Sequence, residues 1–320
     1  GWVNQPPLIR QSTGSIPVLT TITQSPTVND ERTVDPQILR AWGAITIGML
    51  VASFAAIMTR SALNAGMPAL MTAAGRLAIA FVLLSPVVLH RYRAELRAMS
   101  RFQWLMAVFA GFWMCLHFSF IALSLENTRV VVMQVLVNTS PIIVAVLETV
   151  VLRTRLPRVV WVGLIMTILG GGIIGVDGLL AVEPALIAVP DALGFSLFTG
   201  NPALGALFAV ISAAGAAIYL TTGRKARTGI SLIPYIWILT GSGAITGVII
   251  LQLTGTPAFG HSAEGYFWVL MMALGPQLVT HSSINYAVAY IPATVVSISA
   301  QFVSVSATVF AFLIFTEVPS

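Results

Sequence analysis

Charge is the scarcest ingredient of this chain. Asp, Glu, Lys and Arg make up 8% of its 320 residues, against about 25% in an ordinary soluble domain, which excludes a soluble globular fold. A single cysteine, Cys115, excludes any intrachain disulfide. Histidine occurs four times, and no His-Glu-x-x-His, Gly-x-Ser-x-Gly or Walker sequence is present. No enzyme is therefore read from the chain, and neither a cofactor nor a metal site is expected. Without an ATPase motif, any uphill work would draw on a proton, ion or substrate gradient. Residues 1–40 lack the continuous apolar core of a secretory signal.

What fills the chain instead is long apolar runs. Spans are expected near 42–59, 68–89, 103–125, 130–152, 159–176, 203–222, 231–253, 265–287 and 291–315. Each approaches the roughly 20 residues that cross a hydrocarbon core of about 30 Å. Residues 265–315 are almost unbroken, but at about 1.5 Å per residue one helix would overshoot the membrane, so two spans joined near Pro292 are expected. The reading is an all-α polytopic membrane protein whose first partner is the lipid bilayer.

The net charge of +5 would suit nucleic acid if it formed one patch. It does not. Arg10, Arg32 and Arg40 precede the first span. Arg91, Arg93, Arg97 and Arg101, then Arg153, Arg155 and Arg158, then Arg224, Lys225 and Arg227 fill every second gap after it. Only Arg60, Arg76 and Arg129 fall elsewhere, while the loops with Asp177, Glu183, Asp191 and Glu264 hold no Lys or Arg. Basic residues accumulate on the cytoplasmic side. The charge is thus a topology signal that puts the N-terminus in the cytoplasm and excludes a nucleic-acid partner. Residues 1–41, rich in Thr, Ser, Pro, Gln and Asn, read as a disordered cytoplasmic tail. Residues 177–202 read as an outward loop, either interfacial or a lid. Gly171 with Gly175, and Gly243 with Gly247, have the four-residue spacing that lets membrane helices approach closely.

Several motifs together carry a resemblance. His117-Phe-Ser-Phe-Ile-Ala-Leu-Ser-Leu-Glu-Asn-Thr128 leads through Asn138-Thr-Ser-Pro141 to Arg153-Thr-Arg-Leu-Pro157 and the glycine run Gly170–Gly172. Leu274-Gly-Pro-Gln-Leu-Val-Thr-His281, Asn285-Tyr-Ala-Val-Ala-Tyr-Ile-Pro-Ala-Thr294 and Phe315-Thr-Glu-Val-Pro319 look like the same unit again. Over roughly 42–320 the chain resembles EamA-type transporters of the drug/metabolite transporter superfamily. The resemblance implies two five-helix repeats, 42–176 and 203–320. Because five is odd, the second is inverted in the membrane. Ten helices are implied and nine are present, so a C-terminally truncated chain lacking the tenth helix, and lacking its initial Met, is expected. Thr154 stands where the family has an acidic residue, whereas the second half keeps Glu317. A lag of 164 residues aligns Gly111 with Gly275, His117 with His281 and Ser119 with Ser283.

Polar groups inside spans are costly, about 2.5–3.5 kcal/mol for Arg or Asp at mid-helix, and are candidate functional residues. Arg76 either snorkels or pairs structurally, or attracts an anionic substrate group. His117 and His281 are packing residues, or they bind substrate or carry protons. Gln277, His281 and Asn285 recur every four residues, which puts them on one helix face. Gln134 and Asn138 make a similar pair, with Gln301 in the corresponding place of span nine. These eight are the expected cavity lining. Glu148 either pairs with Arg153 or Arg155 or couples protons. Pro141 is expected to kink span four, as a hinge or as packing geometry. The function expected is a secondary transporter, an exporter of small organic metabolites such as amino acids, working by alternating access in a bacterial plasma (inner) membrane. The rival is a non-transporting receptor or scaffold.

Overall fold

The computed structural model describes residues 35–151 and 201–303, together with 153, 156, 158, 160–166, 169, 306, 309 and 310. The tail before residue 35, most of span five with Gly171 and Gly175, nearly all of the loop 177–202, Arg155 and the segment with Glu317 lie outside the described residues. Among those described, every regular element is helical.

Local chemistry sets the helix starts. In α1 (Pro36–Ala52), Asp35 accepts from the Gln37 amide at 2.8 Å with Pro36 opening the first turn, where its missing N–H costs nothing. A break at Ser53–Phe54 leads into α2 (Ala55–Asn64). Next come α3 (Ala69–Arg91) and the short α4 (Arg93–Ala98). Ser100 and Gln103 form a reciprocal capping box, at 3.2 and 2.9 Å, at the head of α5 (Arg101–Asn127). The fourth span is split into α6 (Val130–Val137) and α7 (Ser140–Val150). The interruption falls at Asn138–Thr139, and Pro141 sits in the first turn of α7, so the expected kink is a full break. Asn201 caps α8 (Pro202–Ala226) by accepting from Ala203 and Leu204. A left-handed Gly255 ends α9 (Leu232–Thr254).

The chain then runs through α10 (Ala263–Met272), a π-helical stretch at Ala273–Thr280, and α11 (His281–Ala287). Pro276 lies inside the π stretch. It has no N–H for an α-type bond, and the wider turn accommodates it. Pro292 caps α12 (Ala293–Ser299), which places the separation of the last two runs where the sequence indicates it.

Among the described residues, six helical stretches are long and apolar enough to cross a membrane: Pro36–Asn64, Ala69–Arg91, Arg101–Asn127, Val132–Val150, Pro202–Ala226 and Leu232–Thr254. Large apolar side chains such as Leu253, Val82 and Ile245 point outward, as suits a lipid solvent. With lipid outside, close packing rather than hydrophobicity holds the helices together. α9 lies against α3 and α5 through Gly243 and Gly247. A Cβ at Gly247 would come within 2.6 Å of Ala74 Cβ. Gly111 of α5 faces the Leu239 carbonyl and Ser242 hydroxyl of α9 so closely that any Cβ there collides with backbone. Gly111→Ala is therefore expected to destabilise the bundle by about 1–3 kcal/mol, the usual cost of overpacking. Thermal unfolding in detergent checks this; an unchanged midpoint would mean the α5–α9 contact is looser than described.

Candidate functional site

A buried polar cluster is built by α3, α5, α8, the π stretch and α11. Arg76 of α3 is 5% exposed. Its guanidinium carbon stands 4.0 Å from the centroid of the Phe118 ring, a cation–π contact of about 2 kcal/mol when desolvated. Its Nε and Nη2 atoms have no hydrogen-bond partner in the protein, and it lies close enough to act electrostatically on both His117 and His281.

Each histidine has its own anchor. His117 Nδ1 lies 3.0 Å from the Ser212 carbonyl and 2.8 Å from its hydroxyl, which in turn donates to the His117 carbonyl at 3.0 Å. This locks α5 to α8. His281 packs edge-on against Phe118, with centroids 5.0 Å apart, and its Nδ1 lies 3.3 Å from the Tyr219 hydroxyl. Asn285 Nδ2 donates to the same hydroxyl at 3.2 Å and to the His281 carbonyl at 2.6 Å. The Oδ1 of Asn285, the Oε1 of Gln277 and the Tyr235 hydroxyl are buried without partners. Asn285 Oδ1 and Tyr235 Oη both border the space left by the missing side chain of Gly223.

Arg76, His117, His281 and Asn285 are thus drawn together around Phe118 and Tyr219. Gln277, fully buried, joins from the π stretch, its Nε2 3.9 Å from Met114 Sδ. The other expected lining residues form a second group at the α6–α7 break. Gln301 Nε2 donates to the Asn138 carbonyl at 3.0 Å, and Gln134 is half-buried one turn earlier. Sequence reasoning missed Ser212, Tyr219 and Tyr235. A tyrosine or serine in an apolar run is a weak signal, readable only once the partner helix is known.

Glu148 corrects an expectation. Its partners are not Arg153 but Arg224 of α8, the Ala293 and Thr294 amides at 2.9 Å each, and the Thr294 hydroxyl at 2.6 Å. One fully buried carboxylate therefore ties α7 to the end of α8 and caps α12 with an anion, where the helix dipole favours it. Among the described residues no three His, Cys, Asp or Glu side chains gather as a metal site.

Three side-chain contacts share one spacing. Met114 with Gln277, Phe118 with His281, and Asn138 with Gln301 are each 163 residues apart.

The fold and the buried cluster together define a multi-pass membrane protein that carries charged and polar side chains in its interior. The chain belongs to the EamA-like transporter family, which it matches over residues 41–176 and 203–320. A solved structure, described only as a crystal structure of a protein, is similar in fold. Its TM-score is 0.61 at 15% identity, covering 88% of this chain and 90% of that one. Comparison with the curated proteins gave no match.

Proposed function

We propose that this protein is a secondary transporter that moves small organic metabolites, as an exporter, by alternating access across a bacterial inner membrane with its N-terminus in the cytoplasm. The observation that carries the reading is the Arg76 cluster. A buried guanidinium with two unpartnered donors, in an interior that also holds unpartnered Gln277 and Asn285 oxygens, is an expensive arrangement for packing alone. It is the natural arrangement for holding a polar solute halfway through a membrane. Arg76 would take an anionic group, with His117, Gln277, His281 and Asn285 as orienting partners.

The constant spacing of 163 residues supports an inverted repeat of five-helix units. Near a pseudo-two-fold axis, equivalent residues of the two halves touch one another, and transporters of this design carry substrate at that interface and rock about it. Glu148 is the coupling residue in this reading. Protonation would remove the charge that Arg224 and the α12 amides hold, and so release α12 and the end of α8 from α7.

His281→Ala and Asn285→Ala are expected to lower the initial transport rate tenfold or more with membrane insertion intact. The check is proteoliposome flux over a panel of amino acids, bases and drugs, with and without a pH gradient. Wild-type rates in both variants would remove this part of the cluster from the pathway. No flux of any solute would favour the receptor or scaffold reading.

A further inference from the structure

A cavity of about 450 Å³ opens at the basic end of the bundle, apart from the central cluster. It lies where α8 turns into α9 and the end of α11 comes alongside, and Arg227, Gly229, Ser231, Tyr286 and Tyr290 line it. Arg227 is the unusual member. It is 9% exposed. Its Nη1 donates to the Ile230 carbonyl at 3.0 Å, while its buried Nε has no partner. Among the described residues it makes no ion pair; the pair found there is Arg224 with Glu148. The carboxylate nearest in character, Glu95, acts on Arg227 through space, but its Oε1 is taken by the Ser231 amide at 2.7 Å. Burial pushes the Arg227 guanidinium below its usual range, and Tyr235, Tyr290, Glu95 and Tyr286 oppose that shift.

The rest of the wall fits the same chemistry. Gly229 turns the chain with φ +79°, and the Gln103 side chain, which donates to the Thr228 carbonyl at 3.1 Å, lies beside it. The Tyr286 and Tyr290 rings stand 5.1 Å apart, and Ser231 adds a hydroxyl. A buried cation with no ion pair among the described residues, in a cavity of this size whose wall includes two tyrosines and a serine, matches a tetrahedral oxyanion better than a neutral solute. Basic pockets between membrane helices on the cytoplasmic side take phosphate head groups, and tyrosine is enriched at that depth.

We propose that this cavity is a phosphate subsite that takes a phosphate mono- or diester, with Arg227 as the cation and Tyr286, Tyr290 and Ser231 as hydroxyl donors. The ester comes either from an anionic lipid of the adjoining leaflet or from a soluble phosphate. The subsite stands independently of what the Arg76 cluster carries.

The test is binding, not transport. The full chain, delipidated in detergent, is titrated with glycerol 3-phosphate and separately with phosphatidylglycerol, using glycerol and phosphatidylcholine as controls. Thermal midpoint and native mass are the readouts. A saturable one-to-one adduct with a raised midpoint is expected from at least one phosphate probe. Arg227→Gln should weaken it tenfold or more, Arg227→Lys less, and Arg76→Gln should leave it unchanged. Response to phosphatidylglycerol alone assigns the site to lipid, and response to glycerol 3-phosphate assigns it to a soluble ester. The double variant Tyr286→Phe/Tyr290→Phe keeps the guanidinium and should weaken binding severalfold, which covers the case of a poorly folding Arg227→Gln. Absence of binding by both probes, or undiminished binding in Arg227→Gln or, where that variant does not fold, in the tyrosine double variant, overturns the proposal.

Discussion

Glu148→Ala is expected to lower the unfolding free energy by about 3–5 kcal/mol, the usual result of removing one partner from a buried charge pair. The carboxylate is fully buried and receives four donors from two other helices: Arg224, the Ala293 and Thr294 amides and the Thr294 hydroxyl. Alanine leaves the two amides and the hydroxyl without an acceptor in a space that water enters poorly. Arg224 suffers less, since about a quarter of its side chain is exposed and it can turn outward. Glu148→Gln should fall between alanine and wild type. It keeps one carbonyl oxygen for the α12 amides but presents an NH2 group where a second acceptor is needed, and it carries no charge for Arg224. The two variants separate the structural and coupling roles. A proton-coupling carboxylate predicts that Glu148→Gln folds yet transports at a rate insensitive to an imposed pH gradient. A purely structural latch predicts that the gradient dependence survives. Unfolding midpoints in detergent and flux in proteoliposomes decide; a loss below about 1 kcal/mol in Glu148→Ala would end the view that this carboxylate joins the helices.

The Glu148 network also marks where sequence reading stops. Charge placement alone puts Arg91 to Arg101, Arg153, Arg158 and Arg224 to Arg227 on one side, so a basic partner for Glu148 was legible. Arg153 and Arg155, five and seven positions away, are the partners that proximity along the chain suggests. Arg224 is 76 residues off and comes near only when α7 packs against α8. Span eight shows a different limit. The four-residue spacing of Gln277, His281 and Asn285 assumes a continuous α-helix, but a π stretch holding Pro276 runs over Ala273–Thr280. That stretch changes the angle per residue ahead of His281. Gln277 and Asn285 are still buried, while His281 is only half so. The separation at Pro292 and the close packing at Gly243 and Gly247 were readable, because proline and glycine act through local sterics that need no partner to be known. The lag of 164 between the two halves rests on three matches among apolar positions; the contacts of Met114, Phe118 and Asn138 fall at a separation of 163 instead.

Arg76→Met should cost transport and not stability. A side chain that serves packing is missed when it is removed, whereas a charge kept for a ligand is a burden to the empty protein. Arg76 sits 5% exposed on a membrane helix, where insertion of the charge costs about 2.5–3.5 kcal/mol. Against this, the protein supplies the Phe118 contact at 4.0 Å, about 2 kcal/mol, and leaves Nε and Nη2 unanswered. Methionine fills much of the same volume, keeps contact with the Phe118 ring through its sulfur and removes the desolvated charge. The unfolding midpoint in detergent is expected to equal or exceed that of wild type. Flux of an anionic solute should fall about 10- to 150-fold, the equivalent of one charge-assisted hydrogen bond of about 1.5–3 kcal/mol. Arg76→Lys distinguishes charge from geometry. It keeps the charge but loses the planar fork that can grip two oxygens at once, so it should recover only part of the rate. A strongly destabilised Arg76→Met would point the other way. It would make the guanidinium a structural strut of α3 against α5 and would take the anionic group out of the proposed substrate.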